Sequence, residues 1–185
     1  MTRADENTNR KPRRVVIVGF MAAGKTSVAL ALARLLNCEM VDLDAIISEH
    51  EKRTIAELIT ERGEDAFRGV ETFMLRDVLE RMTTFVLALG GGAWAFETNR
   101  NLIAEHECLT VWLDAPFNLC WQRIEREHGT RPLALERQSA HRLFRERRPL
   151  YELASLRVRV GEEKSADETA ADLLKTMRRL RFVKD

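Results

Sequence analysis

The stretch from Gly19 to Thr26 constrains this chain more than any other. Its residues are Gly-Phe-Met-Ala-Ala-Gly-Lys-Thr, which fits the Gly-x-x-x-x-Gly-Lys-[Ser/Thr] pattern of a phosphate-binding loop. In such a loop the glycines let backbone N–H groups turn toward phosphate oxygens, the lysine adds a positive charge, and the last hydroxyl can ligate Mg²⁺. A β-branched run at 14–18 precedes the loop and a helix-forming run at 27–36 follows it. The order of strand, loop and helix predicts a nucleotide-phosphate site.

Hydrophobic segments alternate with helix-forming segments along the rest of the chain. Four further strands are predicted at 39–44, 85–89, 109–113 and 156–160, with helices between them and a charged helix at 139–154. This alternation predicts an α/β fold with a doubly wound, five-stranded parallel sheet between two helical layers. Residues 1–13 are polar and basic and predict a disordered leader, whereas 14–185 predict a single domain.

Charge and cysteine content narrow the class of protein. The 185 residues include 30 basic and 29 acidic side chains, so no net field attracts nucleic acid or a membrane surface. No apolar run reaches membrane-spanning length, and the three cysteines lack the spacing of a metal site. We therefore expect a cytoplasmic protein with reduced thiols that binds neither nucleic acid nor a membrane.

Two carboxylates, Asp42 and Asp44, end the second predicted strand. Asp42 is placed to help Thr26 hold Mg²⁺, and Asp114, after the fourth strand, is the rival for that role. Because residues two apart on a strand share a face, Asp44 should lie beside Asp42. Asp44 could be the base that takes a proton from an acceptor hydroxyl, or it could be the N-cap of the next helix.

The segment Gly90-Gly91-Gly92 directly follows the third predicted strand. Three glycines cost chain entropy, which is reasonable where a ligand must contact the backbone. Arg68, Arg131 and Arg147 lie in other segments, and arginine forks suit carboxylate or phosphate groups. Position alone does not separate these arginines from the many solvated arginines of the chain.

An ordered set of motifs resembles the shikimate kinase family. The resemblance covers residues 14–175, and no single motif is as specific as the set in order. The motifs are Gly-Phe-Met-x-x-Gly-Lys-Thr at 19–26, Val-Asp-Leu-Asp at 41–44, Ile-Ala-Glu-Leu at 55–58, Gly-Glu-x-Ala-Phe-Arg at 63–68, Gly-Gly-Gly-Ala at 90–93, Arg-Pro-Leu at 131–133 and Glu-Arg-x-Pro-Leu-Tyr at 146–151.

The resemblance implies a monomeric kinase, with an architecture like that of P-loop nucleoside monophosphate kinases, that transfers the γ-phosphate of ATP to the 3-hydroxyl of shikimate with Mg²⁺. Loop 128–138 would be a lid carrying Arg131, and residues 161–165 would lie near the adenine. The implied site residues fall into four groups. Lys25, Asp44 and Arg131 would be catalytic; Ala22, Ala23, Gly24, Lys25, Thr26, Ser27 and Arg131 would bind ATP; Asp44, Arg68, Gly90, Gly91, Gly92 and Arg147 would bind shikimate; Thr26 and Asp42 would hold the metal.

One position departs from the family pattern, and one role in the pattern fits two residues of this chain. Ala22 stands where the family usually has glycine, which matters if the loop needs a positive φ there. Either Arg123 or Arg126 could stack on adenine, and Glu71, one helical turn after Arg68, could orient that arginine. Two alternatives remain beside the main prediction: a related kinase of another small hydroxy acid such as gluconate, and a non-catalytic nucleotide-binding regulator.

Overall fold

The computed structural model describes residues 14–81, 85–126 and 136–183. The predicted leader at 1–13, Arg131 and most of the predicted lid at 128–138 lie outside these ranges. Within these ranges, the strands are β1 (Val15–Val18), β2 (Met40–Asp42), β3 (Val86–Ala88), β4 (Leu109–Asp114) and β5 (Leu156–Arg159). The helices are α1 (Lys25–Leu36), α2 (Leu43–Glu51), α3 (Ile55–Arg62), α4 (Glu64–Arg81), α5 (Glu97–Glu105), α6 (Phe117–Arg126), α7 (Arg137–Tyr151) and α8 (Ala166–Arg179). A 3₁₀ turn spans Ala93–Ala95.

The five strands form one sheet in the order β2-β3-β1-β4-β5, and every pair is parallel. Val15 of β1 lies opposite Val86 on one side and Leu109 on the other. All four residues of β1 are fully buried, although their side chains alternate between the two faces of the sheet. Helices must therefore cover both faces, which confirms the predicted doubly wound α/β fold.

Strand β5 lies at one edge of the sheet, and its sequence is typical of an edge strand. Leu156 and Val158 are half-buried, while Arg157 and Arg159 are exposed. Charged residues on an edge strand discourage pairing with another chain. The two exposed arginines therefore suit the edge position of this strand.

Local signals fix several helix ends. Asn37 ends α1 in the left-handed region with φ of 49°, and its N–H donates to the carbonyls of Ala33 and Arg34. Thr54 and Glu57 form a capping box at the start of α3. Across the described residues, no helix is long and apolar enough to cross a bilayer.

Two predicted boundaries are wrong. The second strand ends at Asp42 and helix α2 begins at Leu43, so Asp44 lies in the first turn of a helix and not on the strand. The reason is that Asp42 is the N-cap, since its Oδ1 accepts from the N–H groups of Asp44 at 3.0 Å and Ala45 at 3.4 Å. Helix α7 begins two residues before the predicted 139, continues through Pro149 and ends at Tyr151, three residues before the predicted 154.

Strand order decides where the polar loops meet. Strands β2, β3 and β1 are neighbours, and their carboxyl ends carry Asp42, the segment Gly90–Gly92 and the phosphate-binding loop, respectively. Ligands of doubly wound sheets bind at these ends of the strands. The topology therefore brings three segments that are distant in sequence to one edge of the sheet.

Candidate active site

The phosphate-binding loop leads directly into α1. Gly24 is the N-cap of this helix, with φ of 96°, and Gly19 has φ of 148°, so both occupy backbone conformations that favour glycine. A Cβ on Gly19 would lie 2.8 Å from the carbonyl oxygen of Leu113, which also excludes a side chain there. Lys25 Nζ donates to the carbonyl of Phe20 at 3.0 Å and spans the loop. The N–H groups and dipole at the start of α1 suit phosphate.

Ala22 has φ of 57°, in the left-handed region that alanine rarely adopts. The loop thus needs a positive φ at the position where its sequence departs from the family pattern. Arg123 Nη1 donates to the Ala22 carbonyl at 3.1 Å and helps to hold this conformation. The strained residue is therefore fixed from α6, outside the loop itself.

A cavity of about 420 Å³ opens above the loop and is called the nucleotide cavity here. Thr26 Oγ1 donates to Asp42 Oδ2 at 2.6 Å at its edge, so the two predicted metal ligands meet. Arg123 lines the cavity together with Lys164, whereas Arg126 is exposed and does not line it. All six predicted ATP-binding residues within the described ranges line it: Ala22, Ala23, Gly24, Lys25, Thr26 and Ser27.

Asp114 is not available as a metal ligand. Its carboxylate accepts from Arg148 Nη1 at 3.1 Å and from Arg157 Nε at 2.9 Å. Both arginines also lie over the Trp112 ring, with their guanidinium carbons 5.3 and 4.8 Å from the ring centroid. This cluster joins β4, β5 and α7, so the structure favours Asp42 over its rival.

A second cavity, of about 510 Å³, adjoins the first and is called the acceptor cavity here. Ile55, Ile59 and Phe67 give it an apolar wall. All six predicted substrate-binding residues line it: Asp44, Arg68, Gly90, Gly91, Gly92 and Arg147. The residues common to both cavities are Asp44 and Gly91, which mark the point where the two meet.

Charged side chains lie against the first and the last glycine of the segment Gly90–Gly92. A Cβ on Gly90 would lie 2.5 Å from Asp44 Oδ1, and a Cβ on Gly92 would lie 2.5 Å from Arg68 Nη2. The Gly91 carbonyl accepts from Arg147 Nη1 at 3.2 Å and from the Tyr151 hydroxyl at 2.6 Å. Because Gly90 and Gly92 have no side chains, the Asp44 carboxylate and the Arg68 guanidinium can lie close to the backbone.

Arg68 is 8% exposed and is held by two carboxylates. Its Nη1 donates to both oxygens of Glu71 at 2.9 and 3.0 Å, and its Nη2 donates to Glu64 at 2.9 Å. Its Nε is the one buried side-chain nitrogen or oxygen in the described ranges without a hydrogen-bond partner. The two carboxylates thus leave this one donor of the guanidinium unpaired inside the protein.

Glu71 is 1% exposed, between Arg68 and Asp44. Burial raises the pKa of its carboxyl from 4.5 to about 7; the Arg68 guanidinium opposes this rise, and the Asp44 carboxylate adds to it. Glu71 holds Nη1 and Glu64 holds Nη2, so the two carboxylates together fix the Arg68 guanidinium. Glu71 therefore orients this arginine, as its sequence spacing predicts.

Two residues that line neither cavity support the glycine segment and the turn after it, and these contacts have no clear signal in the sequence. The Tyr151 hydroxyl donates to the Gly91 carbonyl, and the Trp94 Nε1 donates to the Leu150 carbonyl at 2.8 Å. Glu64 was detectable, because it lies four residues before Arg68 on one helix. Arg131 and the lid lie outside the described residues, so their predicted roles stay predictions.

Comparison with known proteins decides the family. The family model for shikimate kinase matches residues 21–178, which is most of the chain. The chain belongs to the shikimate kinase family. The predicted family and kinase fold are thereby confirmed, and the chain is an ATP-dependent kinase of that family.

Individual shikimate kinases support the assignment. The enzyme of Cereibacter sphaeroides is 42% identical over 156 residues, covering 83% of this chain and 77% of that protein. The enzyme of a Synechococcus species is 38% identical over 159 residues, covering 84% and 82%. The structure of the Acinetobacter baumannii enzyme in complex with shikimate is 32% identical with a TM-score of 0.84, covering 91% and 94%.

A gluconokinase from Sinorhizobium meliloti shares the fold but little sequence. It is 17% identical with a TM-score of 0.56, covering 94% of this chain and 98% of that one. At this identity the likeness shows the fold alone. It therefore gives no support to the gluconate alternative.

Proposed function

We propose that this shikimate kinase family member transfers the γ-phosphate of ATP to the 3-hydroxyl of shikimate, which gives ADP and shikimate 3-phosphate for aromatic amino acid biosynthesis. The observation that carries the proposal is the meeting of the nucleotide and acceptor cavities at Asp44 and Gly91. A phosphate held over the loop and a hydroxyl held beside Asp44 would then be adjacent. Phosphoryl transfer depends mainly on such positioning and on charge stabilisation.

The acceptor cavity is suited to a small hydroxylated ring with a carboxylate. Arg68 and Arg147, each 8% exposed, line the same cavity. Arginine forks bind carboxylates with directional, charge-assisted hydrogen bonds. Ile55 and Ile59 supply an apolar surface for the carbon ring. We assign the carboxylate to the two arginines and the ring to the isoleucines.

In the proposed reaction, Asp44 orients the acceptor hydroxyl and takes its proton as the oxygen attacks the γ-phosphorus. The bond from the γ-phosphorus to the bridging oxygen breaks, and ADP leaves with that electron pair. Lys25, fixed across the loop by Phe20, stabilises the negative charge on the transferring group. Arg131 is predicted to join it when the lid closes over ATP.

The contact between Thr26 and Asp42 offers oxygen ligands at the edge of the nucleotide cavity, which fits Mg²⁺. In the described ranges no group of three or more His, Cys, Asp or Glu side chains could hold a metal by itself. Mg²⁺ usually keeps several waters and binds substrate phosphates with few protein ligands, so this sparse set suits it. When bound, Mg²⁺ would neutralise charge on the β- and γ-phosphates.

Three finer assignments belong to the same proposal. We assign Arg123 to the adenine, because it lines the nucleotide cavity and Arg126 does not. We infer a monomer, as the family resemblance implies, and light scattering after size-exclusion chromatography tests this. We infer a cytoplasmic enzyme, because the three cysteines are free thiols.

Initial rates of ADP release with shikimate, gluconate and nucleoside monophosphates test the proposal. We expect turnover with shikimate and at most traces with the others. The variant Asp44→Ala separates the enzyme from a regulator, because a nucleotide-binding regulator would retain its function without Asp44. Turnover of gluconate or a nucleotide in preference to shikimate would refute the proposal.

A further inference from the structure

A chain of hydrogen bonds connects helix α4 to the turn that follows the triple glycine. Thr72 Oγ1 donates to Asn99 Oδ1 at 2.8 Å, and Asn99 Nδ2 donates to the carbonyl of Ala93 at 3.0 Å. Asn99 is fully buried in α5. Burying an amide costs free energy unless its groups are paired, and here both ends of the amide are paired across three elements.

The turn at Ala93–Ala95 is itself bonded to the glycine segment. The N–H of Ala93 donates to the Gly90 carbonyl at 3.2 Å, and the N–H of Ala95 donates to the Gly92 carbonyl at 2.9 Å. Arg100 Nη1 donates to the carbonyls of Trp94 and Ala95, each at 2.8 Å. All three carbonyls of the turn are thus fixed by two consecutive residues of α5.

The other end of the chain lies beside the carboxylate-binding arginine. Thr72 directly follows Glu71 on α4, and Arg68 lies one turn before it. Arg68 and Gly92 face each other so closely that a Cβ on Gly92 would lie 2.5 Å from Nη2. A shift of helix α4 relative to the segment Gly90–Gly92 would therefore change the width of the acceptor cavity at the contact between Arg68 and Gly92.

We propose that Thr72 and Asn99 are positioning residues that set the distance between Arg68 and the segment Gly90–Gly92, and so determine affinity for the acceptor. Neither residue lines the acceptor or the nucleotide cavity. They act mainly at the contact between Arg68 and Gly92, although Gly91 of the same segment also lies against Met21 of the phosphate-binding loop. The expected signature is a larger change in the KM for shikimate than in the KM for ATP, which rests on the proposed function.

Thr72→Val removes one hydrogen bond and keeps the shape of the side chain. We expect the KM for shikimate to rise about five-fold, as for loss of one ordinary hydrogen bond, with the KM for ATP within about two-fold. Thr72→Ser keeps the hydroxyl and should retain the wild-type KM. Thr176→Val is the matched control, because Thr176 is a half-buried helical threonine bonded to the Asp172 carbonyl in α8.

Amide hydrogen exchange over residues 90–96 gives a second readout that needs no turnover. Thr72→Val should exchange faster there than wild type and Thr176→Val, since the turn loses its connection to α4. If Thr72→Val matched Thr176→Val in exchange, or raised both KM values by the same factor, the proposal would be wrong. A wild-type enzyme inactive on shikimate would refute the proposed function, and exchange alone would then decide the role of Thr72 and Asn99.

Discussion

A methyl group added at Gly92 tests the close contact on which acceptor binding depends. The residue has φ of −104° and ψ of −21°, which alanine adopts without backbone strain. In Gly92→Ala the new Cβ would lie 2.5 Å from Nη2 of Arg68 and 2.9 Å from its Cζ, so the guanidinium must move. Because it ends a flexible side chain, the fold can accommodate the change while Arg68 leaves its position.

The size of the effect follows from the contacts that Arg68 makes. Charge-assisted hydrogen bonds contribute about 1.5–3 kcal/mol each, so losing one to the acceptor carboxylate should raise the KM for shikimate about 10- to 100-fold. The KM for ATP should change less than about two-fold, because Gly92 does not line the nucleotide cavity. Steady-state kinetics with each substrate varied in turn measures both quantities.

Gly69→Ala is the matched control for this variant. Gly69 lies on the same helix as Arg68, is exposed, and has no atom within 4 Å of an added Cβ. Alanine in a helix interior should raise the free energy of unfolding by about 0.5–1 kcal/mol and leave both KM values unchanged. A Gly92→Ala enzyme that kept the wild-type KM for shikimate would refute the assignment of Arg68 to the acceptor carboxylate.

Three further variants test other parts of the site. Ala22→Gly should relieve the positive φ of 57° and raise the free energy of unfolding by about 1 kcal/mol in urea titrations; a decrease would contradict the strain. Gly90→Ala places a Cβ 2.5 Å from Asp44 Oδ1 and should lower kcat at least about 10-fold with little change in the KM for ATP; an unchanged kcat would argue against Asp44 as the base. Glu71→Gln tests the pKa of Glu71, which is raised to about 7 in the folded protein. Because the folded state binds the proton more tightly than the unfolded state, this proton adds to the free energy of unfolding in full below about pH 4.5. The contribution is lost as the pH rises through 7. Wild type should therefore lose about 3 kcal/mol relative to Glu71→Gln between those pH values, and parallel stability curves would contradict this.

Much of this fold could be predicted because its signals are local. The phosphate-binding loop is a contiguous motif between a buried strand and a helix, and the capping box at Thr54 needs four residues. The pairing of Thr26 with Asp42 was also predictable, because parallel strands end at a common edge. Family resemblance then supplied the residues that line the acceptor cavity.

Other features depend on the fold in three dimensions. The strand before α2 was predicted to end two residues too late, because only the structure shows that Asp42 is the N-cap of the helix. Arg123 and Arg126 are three residues apart, and the orientation of α6 brings the first of them to the loop. Asn99 gives no signal of its own, since its partners lie 27 and 6 residues away.

The position of the phosphate in the product tests the central claim most directly. Wild-type enzyme, ATP, Mg²⁺ and shikimate would be incubated, and the products would be identified by mass spectrometry and phosphorus NMR. The account predicts one phosphoryl group per shikimate, on the 3-hydroxyl, in equal amount to the ADP formed. ADP without phosphorylated shikimate, or a phosphate on another hydroxyl, would contradict the arrangement of Asp44, Arg68 and Arg147 around the acceptor.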